Sequence, residues 1–256
     1  MLGGIMMLLP ILGIGALHGA EPESPAEIIC EGQYTGHLQG IAGNGVDTIY
    51  WSFTYTVVKT DLEGRILASV DGPYHHGDIC LAGDKLYVAW SNKFNEPGAD
   101  SKVYIYSADD LSLLTVVPVP EATFGAGGMD HQDGHFFIIG GLPHEYEENY
   151  VYEYDGELNY LRTHVLPSGH THLGIQTACF HDDCWWFGCY QKDGSPGLLK
   201  ADRDLKLIGA YDISPAIGLI GWGEGRFWMA KHFGEKWQAK VVPMAPDEKL
   251  GLIPAR

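Results

Sequence analysis

The stretch HLQGIAGNGVDTIYW, residues 37–51, is the first of five related segments. The others read HHGDICLAGDKLYVAW (75–90), GAGGMDHQDGHFFIIG (125–140), HLGIQTACFHDDCWWFG (172–188) and IGLIGWGEGRFWMA (217–230). With Gly40, Gly77, Gly127, Gly174 and Gly218 as markers, the repeats are 37, 50, 47 and 44 residues apart. Each segment passes from a Gly-containing apolar run through a polar turn into an aromatic run, which is the pattern of a β-hairpin. A repeat of this length predicts a propeller or a solenoid.

The residues between the segments supply two further strands per repeat. The predicted third strands lie at 57–66, 103–113, 151–161 and 198–208, and the predicted outer strands at 67–74, 113–120, 161–168 and 207–214. The fifth repeat has no such outer strand after residue 244, whereas residues 26–34 precede the first repeat at the outer-strand place. We therefore predict an all-β, five-bladed β-propeller of four-stranded blades, with blades starting near residues 37, 75, 125, 172 and 217. The N-terminal strand 26–34 would close the ring and cover the exposed sheet edge.

The repeat layout of residues 26–244 resembles five-bladed β-propellers, the architecture of tachylectin-like lectins and arabinanase-like glycosidases. Arabinanase-like enzymes use three carboxylates from separate blades around the axis. This sequence has only Asp78 near a matching inner-strand start. Glycoside hydrolysis by paired carboxylic acids is therefore disfavoured.

Composition indicates an exported acidic protein. Residues 1–20 carry no acidic or basic side chain and read as a signal peptide ending before Glu21, with a buried N-terminal segment as the alternative. Residues 21–256 would then form a single propeller domain, secreted or periplasmic, and we expect it to be a monomer. The chain has 16 Lys and Arg against 33 Asp and Glu, a net charge of −17. That charge disfavours nucleic acid as a partner, and we expect no membrane insertion after cleavage of the leader.

The five cysteines suggest one disulfide. Cys179 and Cys184 flank the turn Phe-His-Asp-Asp, and across a hairpin with that loop they would lie opposite each other. The alternative is a pair of buried thiols. Cys80 is expected to be buried and unreactive. A cysteine-based zinc site is disfavoured because the sequence has no Cys-x-x-Cys pair.

Histidines mark one face of the predicted ring. We call it the upper face: it carries the connections into the innermost strands and the loops between second and third strands. It would hold His37, His75, His76, His144, His170, His172 and His232, and the lower face His131, His135 and His181. Because innermost strands crowd toward the axis, we predict a divalent metal centre there, with zinc, manganese, iron or copper as the ion. Its predicted ligands are His37, His76, His170, His172, Gln176 and Asp78. The alternative is that these histidines cap strand ends.

The same face supplies a predicted catalytic and substrate-binding set. The catalytic residues are His75, Tyr190 and Lys231, and the substrate-binding residues are Trp90, Asn92, Lys93, Phe94, His144, Gln191 and His232. Aromatic planes beside amides and charges suit a saccharide or another small polar ligand. The strand aromatics are assigned to packing between blades: Tyr50, Trp51, Tyr87, Phe136, Trp185, Trp186, Phe227 and Trp228.

These features predict a metal-dependent carbohydrate-active enzyme of the polysaccharide or oligosaccharide lyase type. The set His76, His170, His172 and Gln176 resembles, in composition, the metal ligands of some propeller polysaccharide lyases. The metal would neutralise a uronate carboxylate and ease removal of the neighbouring proton by a basic residue. The alternative is a non-catalytic module that binds a glycan or a protein through the same face.

Overall fold

The structure of this protein is a computed structural model that describes residues 27–192 and 194–255. All regular elements in those ranges are β-strands, and no helix there is long and apolar enough to cross a membrane. The predicted leader, residues 1–20, and the first residue of the predicted closing strand lie outside the described ranges.

Five antiparallel sheets form the five blades. The first blade contains β2 (Leu38–Gly43), β3 (Ile49–Phe53), β4 (Thr56–Thr60) and β5 (Ile66–Asp71). The second contains β6 (His76–Ala82), β7 (Lys85–Asn92), β8 (Asp100–Ser107) and β9 (Leu113–Pro118). The third contains β10 (Ala126–Gln132), β11 (His135–Gly140), β12 (Asn149–Tyr154) and β13 (Tyr160–Leu166). The fourth contains β14 (His172–His181), β15 (Cys184–Tyr190), β16 (Leu198–Asp202) and β17 (Leu207–Tyr211). The fifth contains β18 (Leu219–Gly221), β19 (Phe227–Phe233) and β20 (Gln238–Asp247), with β1 (Ile28–Ile29) and β21 (Gly251–Pro254) beside β20.

The predicted five-bladed propeller is confirmed. Its hydrophobic core is divided into five clusters, one between each pair of neighbouring blades. The aromatics assigned to packing are all buried in these clusters; Trp51 and Trp185, for example, are 0% exposed. Tyr87 of the second blade contacts Phe136 of the third, with 4.4 Å between ring centroids. The recurrence of aromatics at one repeat position therefore reflects the interfaces that hold the ring together.

The ring is closed on the outer edge of β20 by both ends of the described chain. Ile28 and Ile29 pair with Val241 and Lys240, and Cys30 N donates to Ala239 O at 3.0 Å. Gly251–Pro254 pairs with the other half of the same strand, Met244–Asp247. The expectation that the chain after residue 244 contributes no strand is therefore wrong. The paired part of the closing segment is also shorter than predicted, only two residues.

The predicted Cys179–Cys184 disulfide is absent, and all five cysteines are free. The hairpin that joins β14 to β15 turns on two residues, Asp182 and Asp183, with φ of 49° and 56°. A two-residue turn with both φ positive is the favoured hairpin connection, and Asp tolerates it. As a result Cys184 lies opposite His181, and Cys179 lies opposite Trp186.

Candidate functional site

The innermost strands meet around the axis and are cross-linked there by two carboxylates. Oδ2 of Asp78 in the second blade accepts a hydrogen bond from Ala178 N in the fourth, 3.0 Å away. Oδ2 of Asp130 in the third blade accepts one from Phe180 N at 2.6 Å. The strands approach so closely that a Cβ on Gly40 would lie 2.0 Å from Oδ1 of Asp78. Glycine at this repeat position is therefore required by close approach of neighbouring blades.

A cavity of about 160 Å³ lies at the lower-face end of this axis. The ends of all five innermost strands line it, from Ile41–Gly43, Ile79–Leu81, Asp130–His131, Ala178–His181 and Ile220–Gly221. Its side chains that carry a possible metal-ligand atom are Cys80, Asp130, His131, Cys179 and His181. The cavity is therefore the place where the propeller brings chemically different groups from three blades together.

Three of these side chains form a small potential metal-binding site. One ligand atom each from Cys80, Asp130 and His131 lies within 4.8 Å of the other two. Among residues 27–192 and 194–255 this is the one such triple of Cys, His, Asp or Glu. Cys80 is 3% exposed, whereas the His131 side chain is 41% exposed and borders the open side of the cavity. The site thus has a buried sulfur at its floor and an accessible imidazole at its rim.

Two members of the triad, Asp130 and His131, are joined by hydrogen bonds. Oδ1 of Asp130 accepts from His131 N at 2.8 Å and lies 3.3 Å from His131 Nδ1. That hydrogen bond raises the pKa of His131, although burial opposes it. The Asp130 carboxylate therefore fixes the orientation of the neighbouring imidazole.

Cys80 is a protonated thiol in the metal-free protein. Burial raises its pKa well above the usual range, and the negative charges of Asp130 and Asp78 raise it further. A thiolate here therefore requires a nearby positive charge, such as a divalent cation.

The predicted upper-face metal centre is not formed. His76 is fully buried, and its ring contacts Tyr104 and Tyr106, with Nε2 3.3 Å from the Tyr106 hydroxyl. Burial lowers its pKa to about 4. His170 lies against Tyr146 O at 2.9 Å and stacks on His144 with 5.4 Å between ring centroids. Both rings are occupied by contacts within or beside their own blades.

The remaining predicted ligands are also separated. His37 Nδ1 lies 2.9 Å from Leu38 O, and Gln176 Nε2 donates to Leu173 O at 2.8 Å. His172 pairs with Tyr190 in the sheet. Asp78 reaches the axis, but it binds the amide of Ala178 there.

A β-bulge explains why the predicted ligands miss the axis. In the second blade the pairing of β6 with β7 shifts register between His76 and Ile79. The innermost strands of the first, third and fourth blades have similar irregularities near their starts. A bulge inserts an extra residue and re-aims the side chains beside it, so simple alternation fails at these positions.

Three predicted upper-face residues do meet. Tyr190, Lys231 and His232 line a cleft of about 450 Å³ between the fourth and fifth blades. Leu38 N donates to His232 Nε2 at 2.9 Å, and the His37 and His232 rings are 6.2 Å apart. Burial raises the pKa of Tyr190; burial, and then the nearby His37, lower that of His232.

The other predicted catalytic and substrate-binding residues lie outside this cleft. Trp90 Nε1 donates to Tyr74 O at 2.7 Å, and the Lys102 ammonium sits 5.0 Å from the Trp90 ring. His75, with φ of 74°, packs on Phe94 with 5.7 Å between ring centroids. Three more residues occupy the ends of strands or their loops: Asn92 ends β7, Lys93 has a left-handed backbone, and Gln191 is exposed after β15.

The sequence reasoning missed the lower-face triad. Cys80 is buried as predicted, but its position beside Asp130 and His131 was not predicted, and His131 lies on the face for which no site was predicted. One signal was available in the sequence. Asp78 and Cys80 are two residues apart and therefore lie on the same side of β6. Asp130 lies at the corresponding place in β10, the innermost strand of the third blade.

Comparison with models of known protein families finds no match, and comparison with curated proteins finds none either. Among solved structures, the chain is similar to the computationally designed Ika4 protein, with 14% identity and a TM-score of 0.42 over 68% of this chain and 94% of that one. It is similar to the Dos1 propeller, with 14% identity and a TM-score of 0.45 over 78% and 57% of the two chains. It is also similar to a protein of unknown function from Bacteroides caccae, with 12% identity and a TM-score of 0.47 over 91% and 94%. At these identities and scores, no function is carried over to this chain.

Proposed function

We propose that this protein binds one zinc ion in the lower-face axial cavity, through Cys80, Asp130 and His131. The observation that supports this is the approach of sulfur, oxygen and nitrogen donor atoms to within 4.8 Å of one another in a cavity. Donors around a tetrahedral zinc ion are about 3.3–3.8 Å apart, given metal–ligand bonds of about 2.0–2.3 Å. The separations of the three donor atoms are therefore within about 1 Å of those around a tetrahedral zinc ion. A small movement of the half-exposed His131 ring would shorten them.

The donor types favour zinc over manganese. Thiolate is a soft ligand that manganese binds poorly, whereas zinc accepts thiolate, imidazole and carboxylate together. Three protein ligands leave a fourth position open toward the cavity. We propose that this position holds water or one polar group of a small ligand that enters from the lower face.

Metal analysis of protein purified without a histidine tag tests the proposal. We expect one equivalent of zinc in the wild type, and loss of most of it in Cys80→Ser and His131→Gln. Cobalt provides a second readout, because a cobalt–thiolate bond has a charge-transfer absorption that Cys80→Ser should lack. Cys189→Ser is the matched control, since Cys189 is buried in β15 and does not line the cavity.

We expect His131→Gln to lose zinc but to keep the far-ultraviolet circular dichroism spectrum and melting temperature of the wild type. That result would show that the ligand is lost and the fold is not. The proposal is wrong if the wild type carries no stoichiometric metal and shows no cobalt–thiolate absorption.

Action on a carbohydrate is a separate proposal, and it is supported by the upper-face cleft that Tyr190, Lys231 and His232 line. Cleavage of a uronate by β-elimination needs a proton acceptor. His232 already accepts a hydrogen bond at Nε2 from Leu38, and burial keeps the Tyr190 phenol protonated. The axial triad also lies at the other face, so its metal cannot assist at this cleft. These contacts favour the non-catalytic alternative over the lyase.

Export of the protein is proposed from residues 1–20 alone, because of their uncharged and apolar composition. Expression with the native leader, followed by N-terminal sequencing of the exported material, tests it. We expect the mature chain to start at Glu21. Retention of the full-length chain inside the cell would contradict the proposal.

A further inference from the structure

The cleft between the fourth and fifth blades has a layout suited to a sugar. Ile213, Ala216, Ile217 and Met229 give it an apolar floor, and polar groups from both blades stand at its walls. Its volume of about 450 Å³ is in the range of small-molecule sites.

Two of its polar groups have no partner among the described residues. Neither the Tyr190 hydroxyl nor the Lys231 ammonium has a hydrogen bond or an ion pair within residues 27–192 and 194–255. Lys231 is the exposed residue of β19, and its neighbour in the sheet is another lysine, Lys240, which pairs with Glu27 instead. A free ammonium at a cleft wall is available to an anion.

The third polar group is a fixed hydrogen-bond donor. Because Leu38 N donates to His232 Nε2, the neutral ring carries its proton on Nδ1. Burial and His37 lower the pKa of His232, so the ring stays neutral at pH 7 and donates without adding charge. The positive charge in the cleft therefore comes from Lys231.

An exposed aromatic side chain lies next to His232. Trp237 is 48% exposed, and its ring centroid lies 5.2 Å from that of His232. Exposed aromatic planes beside hydrogen-bond donors suit the apolar face of a pyranose ring. Asp212 also lines the cleft, and as a carboxylate it can accept hydrogen bonds from sugar hydroxyls.

We infer that this cleft binds a hexuronate unit of an acidic glycan without cleaving it. The uronate carboxylate pairs with Lys231, hydroxyls bond to Tyr190, His232 and Asp212, and the sugar ring packs on the apolar floor. The overall charge of −17 weakens long-range attraction of a polyanion. The ligand is therefore a short or terminal uronate rather than a dense polyanion.

Calorimetric titration with three probes tests the inference: trigalacturonate, the neutral galactotriose, and succinate. We expect trigalacturonate to bind at least about tenfold more tightly than either of the others, because one charge-assisted hydrogen bond and the sugar contacts act together. Equal binding of trigalacturonate and galactotriose would remove the role of the carboxylate. If succinate bound as tightly as trigalacturonate, the site would recognise any carboxylate and not a sugar. Failure of trigalacturonate to bind would also overturn the inference.

Variants locate the ligand. Lys231→Ala should weaken trigalacturonate binding about tenfold and Lys231→Arg should retain it. Lys200→Ala is the matched control, because Lys200 lies 4.3 Å over the Trp186 ring, outside the cleft, and its loss changes the net charge equally. If Lys200→Ala and Lys231→Ala weaken binding by the same factor, only the global charge matters and the inference fails.

Two further measurements separate this cleft from the zinc site. Cys80→Ser should bind trigalacturonate as the wild type does, and Lys231→Ala should retain zinc. Prolonged incubation should yield no unsaturated uronate product, and appearance of that product would overturn the statement that the cleft does not cleave its ligand.

Discussion

The Asp78 carboxyl group of the second blade and the Ala178 amide of the fourth are joined by a 3.0 Å hydrogen bond across the propeller axis. Asp78 is fully buried, and burial raises its pKa well above the usual range while the neighbouring Asp130 raises it further. The axis is therefore closed at this level by a carboxyl group whose ionisation is disfavoured. Asp78 holds non-adjacent blades together, next to the cavity that contains Cys80, Asp130 and His131.

This burial predicts an unusual pH dependence of stability. A carboxyl group with a raised folded-state pKa stabilises the fold fully below its unfolded pKa of about 3.9, and this contribution is lost as pH rises toward the folded value. Asp78→Asn keeps a hydrogen-bond acceptor but cannot ionise. We expect the stability of the wild type relative to Asp78→Asn, measured by urea unfolding, to fall as the pH rises above about 4. A constant difference would contradict the raised pKa, and Asp109→Asn, at an exposed position, should show no such trend.

The cluster around Glu153 predicts the opposite trend. Glu153 is 3% exposed and accepts hydrogen bonds from Arg162, His164 and His135 at 2.6, 2.6 and 2.7 Å. Burial opposes ionisation, but these bonds lower its pKa to about 2. Its contribution is therefore present above about pH 4.5 and is lost as pH falls through about 2.

We expect Glu153→Gln to lose about 1–3 kcal/mol of unfolding free energy at pH 7, because the substitution removes the buried carboxylate that accepts these hydrogen bonds. The three donor side chains remain partly solvated. The loss should shrink as pH falls from about 4.5 toward 2. Urea unfolding at several pH values measures it, with the exposed Glu157→Gln as control. A loss that does not depend on pH would show that Glu153 is not ionised in the folded protein.

Zinc binding should release protons. The Cys80 thiol is protonated at pH 7, and zinc requires the thiolate, so at least one proton leaves on binding. The apparent affinity should then rise about tenfold per pH unit for each proton released. Calorimetry in two buffers of different ionisation enthalpy measures the number, and binding without proton release would exclude Cys80 as a ligand.

The cysteines should differ in their reactivity with an alkylating reagent. Cys30, Cys80, Cys179 and Cys189 are buried, and burial raises the pKa of each thiol. Cys184 is only partly buried. We expect Cys184 alone to be modified in the native protein and all five to be modified in denaturant without reductant, as read by mass spectrometry. If Cys179 and Cys184 both stayed unmodified in denaturant, the protein would contain the Cys179–Cys184 disulfide that the hairpin register excludes.

Ring closure depends on one side chain of β1. Ile28 is 2% exposed in the cluster between the fifth and first blades, whereas its neighbour Ile29 is 44% exposed. Ile28→Ala should cost about 2–4 kcal/mol of unfolding free energy through lost burial and a cavity. Ile29→Ala should change stability by no more than about 0.5 kcal/mol. Similar effects of the two variants in thermal or urea unfolding would show that β1 does not close the ring.

Much of the fold could be predicted because its signals are local. Alternating residues, turn residues and a repeated aromatic position are properties of short segments, and five copies of them leave few architectures. Trp51 and Trp185 pack at equivalent interfaces because equivalent strand positions face the same neighbour in a ring. The disulfide was mispredicted because the turn contained two residues, Asp182 and Asp183, and a change in loop length moves every cross-strand partner.

The amino-acid sequence by itself determined the number of blades, the strand order and the aromatic packing between blades. Only the tertiary structure decided which side chains meet at the axis. A β-bulge near the start of β6 turns His76 away into its own blade, while Asp78 and Cys80 reach the centre. One extra residue in a strand re-aims the side chains beside it. Which of those side chains meet at the axis depends on strands from several blades, which no single repeat contains.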